Sequence, residues 1–538
     1  MKKFLVFCCA FFCVLSVVFL KNPGRKKSEE KGPAELRTNL MREIITFDPR
    51  IATDSDSIQM GYFLFSGLTA LDEQGNIHLD LAESYKISDD RKTYWFTLKK
   101  LNWSDGSPLT AYDFEESWNE YTREDFPASL WEMVSMIKNR RGKPQSDRQT
   151  AIGIKAVDSH TVEIQLEFPT SYFLQLLAHP TLFPVHNSMR GAFLQRKGID
   201  PSAIVCSGPF TMDSYKDRVE ILLKKNVHYH DASSVSLDKI RMSRITDAQT
   251  ALALFEKKEL DWLGIPLSEL PVDALAELKT KGILQSYPLL DARFLYFNTK
   301  EYPFTNAKLR KALTLAIDRQ AIIKDILQTQ DLAALGYLPV ATKKERWHAY
   351  FADHDESAAR ALFNQALEEL HISVEEFPEV IVAYNTSDNW RRVMQAIQEQ
   401  WRTVLGIRVK IENADWQVHM DRIRKGNYQI ARCGRFADFI DPLAFLKPLL
   451  SYNVMQNYCK WENKEFDSLI LSAEQVASES ERQECLEKAE KVLMEEMPLA
   501  PLMYSTAHCI AQNNLKGVFV SPLYHVNFSK AYFDKSNE

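Results

Sequence analysis

The apolar residues between Ile381 and Ile411 change period twice. Ile381-Val382-Ala383-Tyr384 is a continuous apolar run of strand length, and the spacing predicts a buried strand there. Val393, Ile397, Trp401 and Leu405 then recur every fourth residue, which is one face of a helix, and Gly406 supplies its stop. Ile407, Val409 and Ile411 alternate as a second strand. Strand, helix and strand within about thirty residues make a βαβ unit, whose strands are parallel and whose crossover is right-handed. Farther forward, Tyr94-Trp95-Phe96-Thr97-Leu98 predicts a strand that leads through Trp103 to an Asp105-Gly106 turn. Thr110 and Asp113 carry the spacing of a capping box, and Phe114 and Trp118 share one face of the helix it opens. Leu309, Leu313 and Ile317 mark another amphipathic helix. The fold class is α/β with mixed sheets.

The first residues follow a different pattern. Lys2 and Lys3 precede an uncharged stretch from Phe4 to Leu20, the layout of an export signal. Val14-Leu15-Ser16 offers a cleavage position, while Lys21, Arg25, Lys26 and Lys27 are placed to anchor the segment in a membrane, so both cleavage and retention stay open. Cys8 and Cys13 follow Phe7 and Phe12, where a lipoprotein needs a small residue, which argues against lipidation. We therefore expect residues 1–20 to be a signal peptide or N-terminal anchor, residues 21–35 a polar tether, and the location to be periplasmic.

Length and charge narrow the picture further. A chain of 538 residues exceeds one ordinary core and implies two or three lobes. The formal charge is −6. Setting the seven Lys/Arg and two Glu of the first 31 residues apart from totals of 66 and 72 leaves 59 against 70, a body near −11. That sign, with no dense basic stripe, excludes a phosphate-backbone surface, and no nucleic acid is expected as a partner. Cys206, Cys433, Cys459, Cys485 and Cys509 are odd in number and irregularly spaced, which favours buried thiols over a disulfide or metal framework.

Searching for reaction chemistry returns little. Neither GxGxxG nor GxxxxGK[ST] occurs, glycine is scarce at 18 residues, and HExxH and GxSxG are missing. His228-Tyr229-His230-Asp231 holds the one tight histidine pair; on a strand both imidazoles would share a face and suit a metal, the alternative being an exposed polar strand end. No cofactor and no catalytic residue is expected, and a binding role is favoured over an enzyme.

The segment LAESYKISDDRKTYWFTLKKLNWSDGSPLTAYDFEESW, Leu81 to Trp118, resembles the signature of family 5 of the bacterial extracellular solute-binding proteins, the peptide-, nickel- and oligopeptide-binding receptors of ABC transporters. Further matches are Ser207-Gly208-Pro209-Phe210, Phe304-Thr305-Asn306, Ala316-Ile317-Asp318-Arg319 and Tyr384-Asn385-Thr386-Ser387-Asp388. Glu412 to Trp416, Ala431 to Gly434 and Ala437-Asp438 look most like the oligopeptide-binding branch, and the likeness runs from about residue 40 to the C-terminus.

What the resemblance implies is a two-lobed periplasmic-binding-protein fold with an extra domain inserted in the first lobe. The implied divisions are residues 36–62, 188–290 and 505–538 for lobe I, 63–187 for the extra domain and 291–504 for lobe II. Such a protein captures short peptides by lobe closure, works as a monomer and delivers its cargo to the permease subunits of an ABC importer in the inner membrane. A receptor open to many sequences must bind the shared backbone, the α-ammonium and the α-carboxylate, and a buried ammonium needs a carboxylate beside it. By resemblance that carboxylate is Asp438, Arg432 meets the ligand's carboxylate, and Trp416 lines a side-chain pocket. Trp390 stands where the branch often carries histidine, Arg435 where an aromatic is usual, and Asp291 and Phe436 where some members have a cysteine pair. Asn385, Gly434 and Asn457 complete the expected ligand-binding set. The competing readings are a receptor for a modified peptide, haem or a nickel complex, and a hydrolase of peptides or cell-wall fragments.

Overall fold

A computed structural model of the chain describes residues 34–536, apart from 73–74, 124–125, 128–129, 140–151, 191–199, 344–347 and 477. The export segment and nearly all of the tether expected from the sequence lie outside the described residues. Among the described residues no helix is long and apolar enough to cross a membrane.

The site is positioned by one long mixed sheet. Its strands are β1 (Glu35–Asn39), β2 (Phe210–Lys216), β3 (Glu220–Lys225), β4 (Lys239–Ser243) and β5 (Trp262–Gly264), then β6 (Gln285–Phe297), β7 (Val380–Asn385), β8 (Val409–Ala414), β9 (Ile430–Phe436) and β10 (Leu499–Ala511). Their spatial order is β2-β3-β4-β1-β5-β10-β6-β9-β7-β8. The helices that matter here are α1 (Ser55–Leu64), α2 (Ala111–Asn119), α3 (Ala307–Leu315), α4 (Asp388–Leu405), α5 (Trp416–Lys425) and α6 (Glu479–Glu496).

The βαβ unit forms where the periodicity places it. β7 and β8 pair in parallel from Val380↔Val409 to Asn385↔Ala414, with α4 between them. α4 buries Val393, Ile397, Trp401 and Leu405, and it ends on Gly406 at φ 71°, a left-handed conformation that glycine adopts without strain. Thr110 and Asp113 open α2 as expected: the Asp113 carboxylate accepts from the Thr110 amide at 2.8 Å, and Phe114 and Trp118 are fully buried. The helix marked by Leu309 and Leu313 is α3; it closes at Leu315, so Ile317 packs just beyond it. The predicted strand around Phe96 joins a separate four-stranded antiparallel sheet, in the order Ala82–Ile87, Thr93–Leu98, Thr161–Gln165, Ile154–Ala156.

Two thirteen-residue strands, β6 and β10, run side by side at the middle of the long sheet. At 3.3 Å per residue each spans about 43 Å, enough to serve both halves of the molecule. Their antiparallel pairing has two parts. Gln285–Pro288 pairs with Thr506–Cys509, and Ala292–Tyr296 pairs with Leu499–Tyr504, with the register shifting between them. In the gap the Leu290 amide donates to the Pro522 carbonyl, and the Leu290 carbonyl accepts from the Ala437 amide, both at 2.9 Å. The break in register thus ties the chain just before residue 438 to the centre of the sheet.

Packing follows the same division. One apolar core gathers Leu36, Phe63, Phe210, Trp262 and Phe528, and a second gathers Phe297, Leu313, Trp401 and Leu502. A third joins residues 68–182 to residues 290–504. Within it the Tyr172 ring stacks on Phe439 at 4.2 Å, and Lys447 Nζ reaches the Tyr172 hydroxyl at 3.1 Å and Glu474 at 2.7 Å. Burial works against the charge on Lys447, but Tyr172 and Glu474 hold its pKa above the ordinary lysine range. Cys206, Cys433, Cys459, Cys485 and Cys509 are all free, and only Cys485 is not buried.

Candidate functional site

β9 carries or leads into most of the residues singled out in the sequence. It pairs with β6 from Asp291↔Phe436 through Arg293↔Gly434 to Leu295↔Arg432. Alternation along a strand then places Asp291, Arg293, Gly434 and Arg432 on one face of the sheet and Arg435 on the other. Two separate cavities border this strand and the segment that follows it.

The first cavity, about 300 Å³, is lined by Asp291, Arg293, Asp331, Trp390, Arg432 and Ser505, with Leu289, Met503 and Tyr524 around them. Arg432 is only 5 % exposed. Its Nη1 donates to Asn385 Oδ1 at 2.9 Å, and its guanidinium lies 3.6 Å from the centre of the Trp390 ring. Both partners are neutral. Burial, and next the like charge of Arg293, push the Arg432 pKa down to about 9. Asp291 is 3 % exposed and pairs through Oδ2 with Arg293 Nη2 at 2.5 Å. Burial raises its pKa, against the pull of Arg293, Ser505 and Arg432. The residue expected to replace a cysteine therefore brings a buried carboxylate with its own arginine.

Gly434 has a clear steric role. A Cβ there would stand 2.2 Å from Arg293 Nη1, so glycine is what lets the Arg293 side chain lie across the strand. Trp390, which stands where the branch often carries histidine, covers the Arg432 guanidinium with its ring face. α5 contributes at one remove: His419 Nε2 sits 2.7 Å from the Arg432 carbonyl and fixes the strand from behind.

The second cavity, about 230 Å³, is lined by Asp438, Arg435, Phe436 and Gln456 on one side and by Thr53, Tyr172 and His179 on the other. Asp438 is exposed within it. Its negative charge, after burial, helps to raise the pKa of the Tyr62 phenol on α1. Arg435 is committed to neutral partners, the Ala444 carbonyl at 2.9 Å and Gln456 Oε1 at 3.0 Å. The segment that presents Asp438 is held at both ends. Ala437 is bonded to Leu290, and Asp441 accepts from Arg482 Nη2 with both oxygens at 2.7 Å. Burial raises the Asp441 pKa, with Arg482 opposing it. Arg482→Ala leaves that carboxylate buried alone, and a loss of about 3–5 kcal/mol in unfolding free energy is expected from denaturant titration.

Four expected residues line neither cavity: Gly434 and Asn385, which act through Arg293 and Arg432, and Asn457 and Trp416. Asn457 is buried, donating to the Trp461 carbonyl at 2.7 Å and accepting from the Trp461 amide at 3.3 Å, so its amide is taken up by a turn. Trp416 opens α5 and is 49 % exposed, which makes it neither a core aromatic nor part of either wall. The histidine pair needs a correction. His228 and His230 follow β3 in a turn rather than lying on a strand, because Asn226 Oδ1 accepts from the His228 amide at 3.0 Å and its Nδ2 donates to the Gly208 carbonyl at 2.8 Å. His230 pairs with Asp80 at 2.5 Å. No metal-sized group of His, Cys, Asp and Glu occurs among the described residues. A larger cavity of about 740 Å³ lies beside that pair, between Tyr62, His525 and Lys530, and holds none of the expected residues.

Arg293, Asp331 and Tyr172 were not singled out in the sequence. Arg293 is the one with a local signal, since it lies two residues from Asp291 and must share its face on any strand.

Comparison with known proteins shows the family and the fold. Residues 76–457 match the family model described as bacterial extracellular solute-binding proteins, family 5 Middle. The chain is 33% identical over 518 residues to the oligopeptide-binding protein OppA of Bacillus subtilis, covering 95% of this chain and 94% of that one. Among solved structures it is similar to the unliganded open form of the periplasmic murein tripeptide-binding protein MppA, with a TM-score of 0.78 and 25% identity over 94% of this chain and 99% of that one. It is also similar to a periplasmic oligopeptide-binding protein of Borrelia burgdorferi, with a TM-score of 0.75 and 28% identity over 93% of this chain and all of that one. The fold is that of the periplasmic binding proteins, and the chain belongs to the bacterial extracellular solute-binding proteins, family 5.

Proposed function

We propose that this protein is an exported receptor that closes around short peptides and passes them to the permease subunits of an ABC importer, without cleaving them. The observation that carries the reading is the placement of Asp438 and Arg432. One carboxylate and one guanidinium, six residues apart on β9 and the segment just after it, each border a cavity. At 3.3 Å per residue they are at most about 20 Å apart along the chain, a span suited to an extended peptide of about three to five residues. Asp438 takes the α-ammonium and Arg432 the α-carboxylate, whose two oxygens suit a guanidinium. The names of the similar proteins, oligopeptide-binding and dipeptide-binding, point to the same ligand class.

The lobes proposed to close are residues 36–62, 188–290 and 505–538 on one side and 291–504 on the other, with 63–187 as the extra domain. β6 and β10 cross between them, and the register break at Pro288–Ala292 is the natural hinge. The protein acts as a monomer outside the cytoplasm.

Melting curves with pools of random three- to five-residue peptides test the reading. Peptide at a hundredfold excess over Kd adds about 2.7 kcal/mol to the folded state and is expected to raise Tm by a few degrees. Pools with acetylated N-termini are expected to give about a third of that stabilisation or less. A shift with a bile salt or a haem but with no peptide pool would overturn the peptide assignment. Cleavage products recovered from the same incubations would overturn the receptor assignment.

A further inference from the structure

Three residues lining the cavity on the Arg432 side carry a buried polar atom without a partner; one is His508 Nε2, and the other two are of opposite kind. Asp291 Oδ1 accepts no hydrogen bond, although Ser505 lies close to the carboxyl, and Arg432 Nε donates none. Oδ2 of the same aspartate is already taken by Arg293. A buried acceptor or donor left unmade costs about 1–3 kcal/mol, more when charged, so a site that keeps both is short of a ligand that supplies both. A second carboxylate stands near the first. Asp331 accepts from the Thr506 amide at 2.8 Å and from Thr329 Oγ1 at 2.9 Å, bonds that bring no positive charge. Burial raises the Asp331 pKa, Arg293 draws it down and Asp291 adds to the rise, so the two carboxylates share one arginine. Leu270, Leu275, Leu289, Leu327 and Met503 give the wall an aliphatic stretch, beside polar groups that include Glu269, Asn389 and His508. An aliphatic wall leading to under-compensated carboxylates fits a side chain with a hydrocarbon stem and a cationic tip.

We propose that this cavity is the subsite for a C-terminal lysine or arginine, whose side-chain cation takes Asp291 Oδ1 while its α-carboxylate takes Arg432. Both orphans are then satisfied by one residue, and Arg293 remains on Oδ2. The inference deepens the peptide reading and rests on it. It concerns Asp291, a position where some members of the family resemble one another in carrying a cysteine.

Calorimetric competition between pools of three- to five-residue peptides ending in lysine, norleucine or glutamate tests it. Norleucine keeps the stem and removes the charge. The wild-type protein is expected to bind the lysine pool at least tenfold more tightly than the norleucine pool and to bind the glutamate pool most weakly. In Asp291→Asn the lysine-to-norleucine ratio is expected to fall to about one. Equal binding of the lysine and norleucine pools by the wild type overturns the proposal, and so does an undiminished ratio in a folded Asp291→Asn protein. The wild-type comparison stands even if the variant fails to fold. Binding of peptides without a preference for lysine sinks this subsite alone, whereas binding of no pool sinks the peptide reading with it.

Discussion

Asp438→Ala is expected to weaken binding of short peptides by about thirtyfold or more, because removing one partner of a desolvated charge pair costs 2–5 kcal/mol or more. Asp438 borders the 230 Å³ cavity, and the ligand's ammonium would lose its only proposed carboxylate there. Asp438→Asn keeps an acceptor oxygen and is expected to fall between the two. The specificity of the effect is checked with an acetylated peptide. Acetylation removes the ammonium, so it should cost the wild-type protein as much as the mutation does, and cost Asp438→Ala almost nothing further. Titration calorimetry of the four combinations measures this coupling. Independent, additive losses would place the ammonium elsewhere.

The second large effect is acid sensitivity. His179, His508 and His525 are buried, and burial pushes their pKa values down to about 4, about 4 and about 3. In the unfolded chain each takes up a proton near pH 6.5. As pH falls below 6.5 the unfolded state binds up to three more protons at these rings than the folded one, and burial lowers the His419 pKa in the same sense, so stability must fall, by up to about 4 kcal/mol per pH unit from these three. Asp291, Asp331 and Asp441 have raised pKa values and act in the opposite sense, but only near the carboxylate range. The histidines therefore dominate between about pH 6.5 and 5. Urea midpoints at pH 7, 6 and 5 are expected to drop steeply, and His525→Asn to remove about a third of the slope. Flat midpoints across that range would contradict the burial of these rings.

Which parts of this were legible in the sequence follows from the range of the interactions involved. The unit from β7 to β8 could be read directly because its signal is contiguous: period two, then period four, then a glycine stop at Gly406. The Thr110–Asp113 cap could be read because both partners lie within one turn. Asp438 and Arg432 came from motif matches, and the fold brings each to a cavity. What a motif cannot say is which way a side chain points. Asn457 turns inward to Trp461, and Trp416 sits at a helix start facing outward. The His228–His230 reading assumed a strand, and the Asn226 side chain ends β3 just before it. Arg293, Asp331 and Tyr172 acquire meaning only from pairing across more than a hundred residues, as in Arg293↔Gly434 and Tyr172–Phe439. Neither hydropathy nor local spacing carries that register.

The lobe boundaries illustrate the same limit. A resemblance suggested a change of lobe near Asp291 and Tyr504, and both residues border the stretch where the β6–β10 register shifts. The physical reason for the register shift there is the diverted hydrogen bonding of Leu290, which faces Pro522 and Ala437 instead of β10. That arrangement depends on three segments far apart in the chain.

The claim on which all of this depends is that the protein binds peptides through their charged ends. Calorimetric titration of the wild-type protein with a mixed pool of free three- to five-residue peptides, and with the same pool acetylated and amidated, tests it most directly. The account predicts saturable one-to-one binding of the free pool and at least a thirtyfold loss for the blocked pool. Equal binding of the two pools, or no heat from either, would contradict it.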